Sequence, residues 1–116
     1  MLRTKKGARI VFLENFTYNA LMNLTKKIEQ KLTETFYPSV LNISDQSHLH
    51  IGHSGNDSNG IESHFKIEIV SSAFESYSSF ERHRWMNQVL SEEIKLLHAI
   101  TFKIYTNEEY DTIMQE

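Results

Sequence analysis

The chain is expected to fold as one α+β domain, a three-stranded mixed sheet with helices packed on it in the order α-β-β-α-β-α. Three observations predict this class. Leu21, Leu24, Ile28, Leu32 and Phe36 recur at spacings of three and four, the period of a half-buried helix. Apolar and polar residues alternate in "FKIEIVS" and again in "HAITFKIYT", the period of a strand with one buried face. After each of those strands, "SSFE" and "TNEE" have the spacing of a capping box, in which Ser or Thr and Glu each satisfy a backbone N–H at a helix start.

The elements follow in order. Residues 1–21 are expected to be a dispensable arm, with Met22 as an alternative start, and residues 22–116 to form the domain. The first helix carries the Leu21-to-Phe36 stripe, with Thr25 as a place where it could restart, and ends before Pro38. "SVLNISD", from Ser39 to Asp45, is a short first strand in which Leu41 and Ile43 alternate with polar neighbours. The second strand runs from Phe65 to Ser71, with Phe65, Ile67 and Ile69 on one face. Ser78 opens a helix expected to reach about Leu97, with Trp85, Val89, Ile94 and Leu97 as its apolar stripe. The pair Glu92-Glu93 reads as solvated surface, because adjacent helix positions do not face each other. The third strand places Ile100, Phe102 and Ile104 on one face, and Thr106 opens a terminal helix with Tyr110, Ile113 and Met114.

Composition narrows the chemistry. Net charge is −3, so the overall field does not draw the chain to phosphate, and nucleic-acid binding would need a local basic face. There is no cysteine, which removes disulfides, thiolate catalysis and all-cysteine metal cages. The apolar run Ile10–Leu13 is too short for a membrane span or a signal-peptide core. A cytoplasmic location is expected, or the mitochondrial matrix if the source is eukaryotic. No G-x-S-x-G elbow is present, and no enzymatic activity is expected.

The segment "HLHIGHSGNDSNGIESH" holds four of the six histidines and three of the four glycines, and reads as a long connector between the first two strands. Topology gives these histidines a place. Consecutive strands pair antiparallel most simply, and strands joined by a helix favour a parallel crossover. About 18 helical residues span roughly 27 Å, enough to return along a strand of roughly 20 Å. The third strand therefore starts where the connector lies, so His48, His50, His53, His64 and His98 should converge there. His83, within the crossover helix, should not. Imidazole suits zinc, copper or iron, yet the spacing fits no closed zinc site. Read only as structure, His98 is hydrogen-bonded beside the core and His64 anchors the strand it leads. "GHSG" from Gly52 matches the phosphate-clamping G-x-x-G of KH domains, but lies between strands rather than helices, and Arg82 and Arg84 of "RHR" form a small basic cluster.

"SHFKIEIVSSAF", "RHRWMNQVLSEEI" and "HAITFKIYTNEEY", in that order and spacing, resemble the BolA family from about Met22 to Asp111. The resemblance implies a type II KH-like fold and a non-enzymatic partner of monothiol glutaredoxins in iron–sulfur cluster trafficking or iron regulation. It implies a [2Fe–2S] cluster shared with the glutaredoxin, which supplies its cysteine and a bound glutathione thiol. The cluster histidines would be His98 before the third strand and His50 in the connector, with His53 as its rival. His64 and His83 match family positions read as structural. No cofactor is expected when the chain is alone, and the free protein would be a monomer or weak homodimer. Some members of the family are described as DNA-binding regulators of stress response and cell shape, and the alternative reading places Arg82 and Arg84 on phosphate. Two departures stand out: Ser76 replaces the glycine of the family's "F-x-G" turn, and the connector is extended. Histidine and thiolate together would raise the cluster potential above that of an all-thiolate site.

Overall fold

The 3.6-residue stripe folds as expected into a helix over residues 22–36 (α1), continuous through Thr25, that buries Ile28, Leu32 and Phe36. The computed structural model describes residues 22–46, 48–49, 61–62 and 64–115; the arm over 1–21, the "GHSG" segment, His50 and His53 lie outside the described residues. Tyr37 ends α1 in the left-handed region, with φ 45°, and its amide donates to the Thr33 carbonyl at 3.0 Å. Pro38 follows and has no N–H with which to continue.

Among the described residues five strands come next: β1 (Val40–Asp45), β2 (His48–Leu49), β3 (Ile61–Glu62), β4 (His64–Val70) and β5 (Ala99–Tyr105). The main sheet has the order β1-β4-β5. β1 runs antiparallel to β4, from Val40 opposite Val70 to Asp45 opposite Phe65. β5 runs parallel to β4, from His64 beside Ala99 to Val70 beside Tyr105. This is the mixed sheet inferred from the connections. Its register aligns Leu41, Ile69 and Ile104 in one row and Ile43, Ile67 and Phe102 in the next, so the period-2 pattern of all three strands falls on one core face. Phe65, Ile67 and Ile69 of the central strand are fully buried there, each contributing about 1.5–3 kcal/mol of apolar burial.

The connector holds structure that was not expected: β2 and β3 form a separate antiparallel ribbon, His48 opposite Glu62 and Leu49 opposite Ile61. Two residues per strand are too few to carry a readable period.

Ser71, buried just after β4, ties three elements together. Its hydroxyl donates to the Phe36 carbonyl at the end of α1 and accepts from the Ala73 amide at 3.0 Å, while its own amide donates to Tyr105 in β5. The Ala73 bond caps a 3-10 turn, Ser72–Phe74. Over this turn Phe36, Phe74 and Trp85 pack with ring centroids 4.8–6.0 Å apart, and Tyr77 reaches Trp85 at 5.2 Å. Ser76 has φ 68°, so the turn keeps the left-handed geometry that glycine would adopt without strain.

Both capping boxes form. Ser78 with Glu81 opens α2 (Ser79–Val89), and Thr106 with Glu109 opens α4 (Asn107–Met114). The helix expected to run to Leu97 is instead two segments, α2 and α3 (Ser91–Ile94), that meet at Leu90 with φ −100° and ψ 21°. The bonds Leu90 N–H to Met86 and Ile94 N–H to Leu90 carry helical bonding across the bend. The four residues of its expected stripe all pack against the core. Trp85, Val89, Ile94 and Leu97 are only half-buried, whereas Met86, Leu90 and Glu93, spaced four and three apart, are fully enclosed.

Candidate functional site

One end of the sheet gathers the groups with ligand chemistry. β4 starts with His64 beside Ala99, the first residue of β5, so His98 stands one residue from that pairing. The Gln46 amide donates to the His64 carbonyl at 2.7 Å, which fixes the chain leaving β1 against the chain entering β4. The connector departs and returns at this end, through the β2–β3 ribbon. Topology thus brings His64, His98 and both ends of the connector together, as the strand directions required. His50 and His53 are outside the described residues.

The histidines that are described differ in setting. His98 sits in an exposed bend, although its parity with Ile100 and Phe102 had suggested a place beside the core; the strand pattern ends at Ala99, and parity says nothing beyond it. His64 is half-buried, and its Nε2 lies 3.4 Å from the Thr101 hydroxyl on the neighbouring strand. His83 lies in α2, where Nδ1 donates to the Ser79 carbonyl at 2.9 Å and the ring meets the edge of Phe102 at 6.1 Å. That carbonyl can only accept, so the neutral ring carries its proton on Nδ1.

The two arginines proposed for phosphate are not equivalent. The Arg82 guanidinium binds Glu109 through both terminal nitrogens, at 2.6 and 3.3 Å, and its Nε–H donates to the Tyr77 carbonyl at 2.9 Å. These bonds engage all three of its nitrogens, through three of the five N–H donors. Arg84 is exposed. The Arg82 hydrogen bond, and then the Thr106 backbone, hold the Glu109 carboxyl below the usual carboxylate range.

Glu93 departs most from expectation. Its neighbour Glu92 is 74% exposed, as a solvated face requires, but Glu93 is 1% exposed. Lys31 of α1 donates to its Oε1 at 3.0 Å and approaches Oε2 at 2.8 Å, with Lys27 Nζ 3.9 Å from Oε2. No hydrogen bond to Oε2 has acceptable geometry among the described residues, so charge alone holds that oxygen. The bond to Glu93 raises the Lys31 pKa, against some opposition from burial. Sequence could have found the pair: Met86, Leu90 and Glu93 share a face, and Lys27 and Lys31 share another on α1.

Among the described residues no group of three or more His, Cys, Asp or Glu side chains could hold a metal ion. The exposed imidazole of His98 fits a single-ligand role in a donor set completed from elsewhere. No helix among the described residues is long and apolar enough to cross a membrane.

These features define a small α+β domain of KH-like topology with histidines at one sheet end. The family model for BolA-like protein matches residues 32–109, and the chain belongs to the BolA family. A protein of Sinorhizobium sp, described as uncharacterized and lying in the cobS 5′ region, is 47% identical over 68% of this chain and 86% of its own length. A Haemophilus influenzae protein described as the DNA-binding transcriptional regulator BolA is 40% identical over 77% of this chain and 82% of its own. The solved structure of BolA1 from Arabidopsis thaliana superposes with a TM-score of 0.61 at 35% identity, covering 72% of this chain and 92% of that one.

Proposed function

We propose that this protein is a non-enzymatic partner of a monothiol glutaredoxin and co-ligates a [2Fe–2S] cluster in iron–sulfur trafficking or iron regulation. His98 is one ligand and His50 or His53 the other, while the glutaredoxin cysteine and its bound glutathione supply the thiolates. One observation carries the reading: an exposed imidazole one residue before β5, at the sheet end where the histidine-rich connector leaves and returns. A chain without cysteine suits a shared cluster, because the thiols must come from a partner. The cluster, when bound, would supply one-electron chemistry; the chain supplies imidazole and holds it on a strand end.

Mixing the protein with cluster-loaded monothiol glutaredoxin should change the visible circular dichroism. That change should vanish in His98→Ala and weaken in His50→Ala or His53→Ala. A spectrum that is the same for His98→Ala and wild type contradicts the assignment. A second reading, nucleic-acid binding, is favoured by the description of the Haemophilus influenzae relative. It places the phosphate contact on Arg84, since Arg82 is engaged by Glu109. It requires affinity for duplex DNA that falls steeply with salt and is weakened by Arg84→Ala.

A further inference from the structure

Glu93 is the one buried charged side chain among the described residues, and nothing in the ligand reading uses it. Burying a carboxylate costs several kcal/mol before its partners offset it, and breaking such a pair is more damaging than never having it. An apolar residue would continue the Met86–Leu90 stripe without that cost. A carboxylate there must therefore be justified by what it holds.

It holds the approach to His98. The Glu93 side chain is gripped by Lys31, with Lys27 near, both on α1. The Glu93 carbonyl accepts from Leu96 at 3.0 Å and the Ile94 carbonyl from Leu97 at 3.1 Å, so the chain is hydrogen-bonded from the clamp up to the residue before His98. Immediately after His98, Ala99 pairs with His64. His98 is thus a single exposed bend between two anchors, one ionic and one a strand pairing. Helical bonding across Leu90 joins α3, a four-residue helix with no side-chain cap, to α2 but does not by itself set its spacing from α1. An ion pair fixes its distance.

We propose that Glu93, through Lys31, is a positioning residue for His98, setting where the imidazole stands at the sheet end. This rests on the reading of His98 as a cluster ligand and deepens it. Carboxylates hydrogen-bonded directly to a metal-ligating histidine change affinity by about ten- to hundredfold. Glu93 acts instead through the backbone between α3 and β5, so a smaller effect is expected.

The test compares wild type with Glu93→Gln, Lys31→Met, Lys31→Arg and a core control, Ile28→Val, all measured well below their melting temperatures. Two quantities are read: the ring-proton NMR signals of His98 in the free protein, and affinity for cluster-loaded monothiol glutaredoxin. Glu93→Gln and Lys31→Met should shift or broaden the His98 signals and weaken the complex by up to about tenfold, the low end for a ligand's direct partners. Lys31→Arg, which keeps a cation opposite both oxygens, should restore both. Ile28→Val should change neither beyond its loss of thermal stability. Unchanged His98 signals in Glu93→Gln, or an equal change in Ile28→Val, overturns the proposal. If His98→Ala leaves the complex intact while Glu93→Gln still moves the ring, the ligand reading fails and the positioning role stands.

Discussion

Single residues decide how well this chain holds its histidine end. Ser76 was recognisable from sequence because it stands where the related motif has glycine, and its φ of 68° shows that the backbone kept the glycine shape. Left-handed geometry costs a residue with a Cβ more than it costs glycine, and the gain outweighs the added freedom of the unfolded chain. Ser76→Gly should therefore raise stability by about 0.5–1 kcal/mol, seen as a higher urea midpoint with an unchanged slope. A lower midpoint would mean that the serine side chain makes a contact worth more than the strain. Ser71 was not legible: nothing in its sequence neighbourhood says that its hydroxyl would join the last carbonyl of α1 to the turn after β4. Such long-range polar contacts have no period to betray them. Glu93 was misread because the Glu92-Glu93 pair was judged only by whether adjacent positions face each other, whereas the four-and-three spacing from Met86 and Leu90 pointed inward.

Whole elements were more legible, since each rests on a repeating pattern or a local motif. Both capping boxes form as the Ser78–Glu81 and Thr106–Glu109 spacings require. The bend at Leu90 was hidden, because Ser91 interrupts no apolar period and hydrogen bonding continues across it. The ionic contact between α2 and α4 gives a pH test. Arg82 and the Thr106 backbone lower the Glu109 pKa in the folded state. A carboxyl with a depressed folded pKa contributes stability above its unfolded value, and that contribution is lost as pH falls through the folded pKa. The melting-temperature difference between wild type and Glu109→Gln should accordingly be largest near neutral pH and shrink below about pH 4. A gap that stays constant into acid would show that the variant acts through packing or the neutral cap alone.

At the scale of the molecule, topology did the work that motifs could not. An antiparallel first pairing and a parallel crossover force β5 to begin where the connector lies, and the register of His64 with Ala99 is that inference realised. The fold was thus readable from strand patterns and connection lengths, whereas the β2–β3 ribbon was too short to leave a signature. Shared ligation is tested most directly by pulsed EPR on the reduced cluster, with this chain labelled uniformly with ¹⁵N and the glutaredoxin at natural abundance. The assignment predicts ¹⁵N hyperfine couplings of a size typical of metal-bound imidazole, with the His98 contribution lost when His98 is replaced by alanine. Spectra that contain no strongly coupled ¹⁵N from this chain would contradict it.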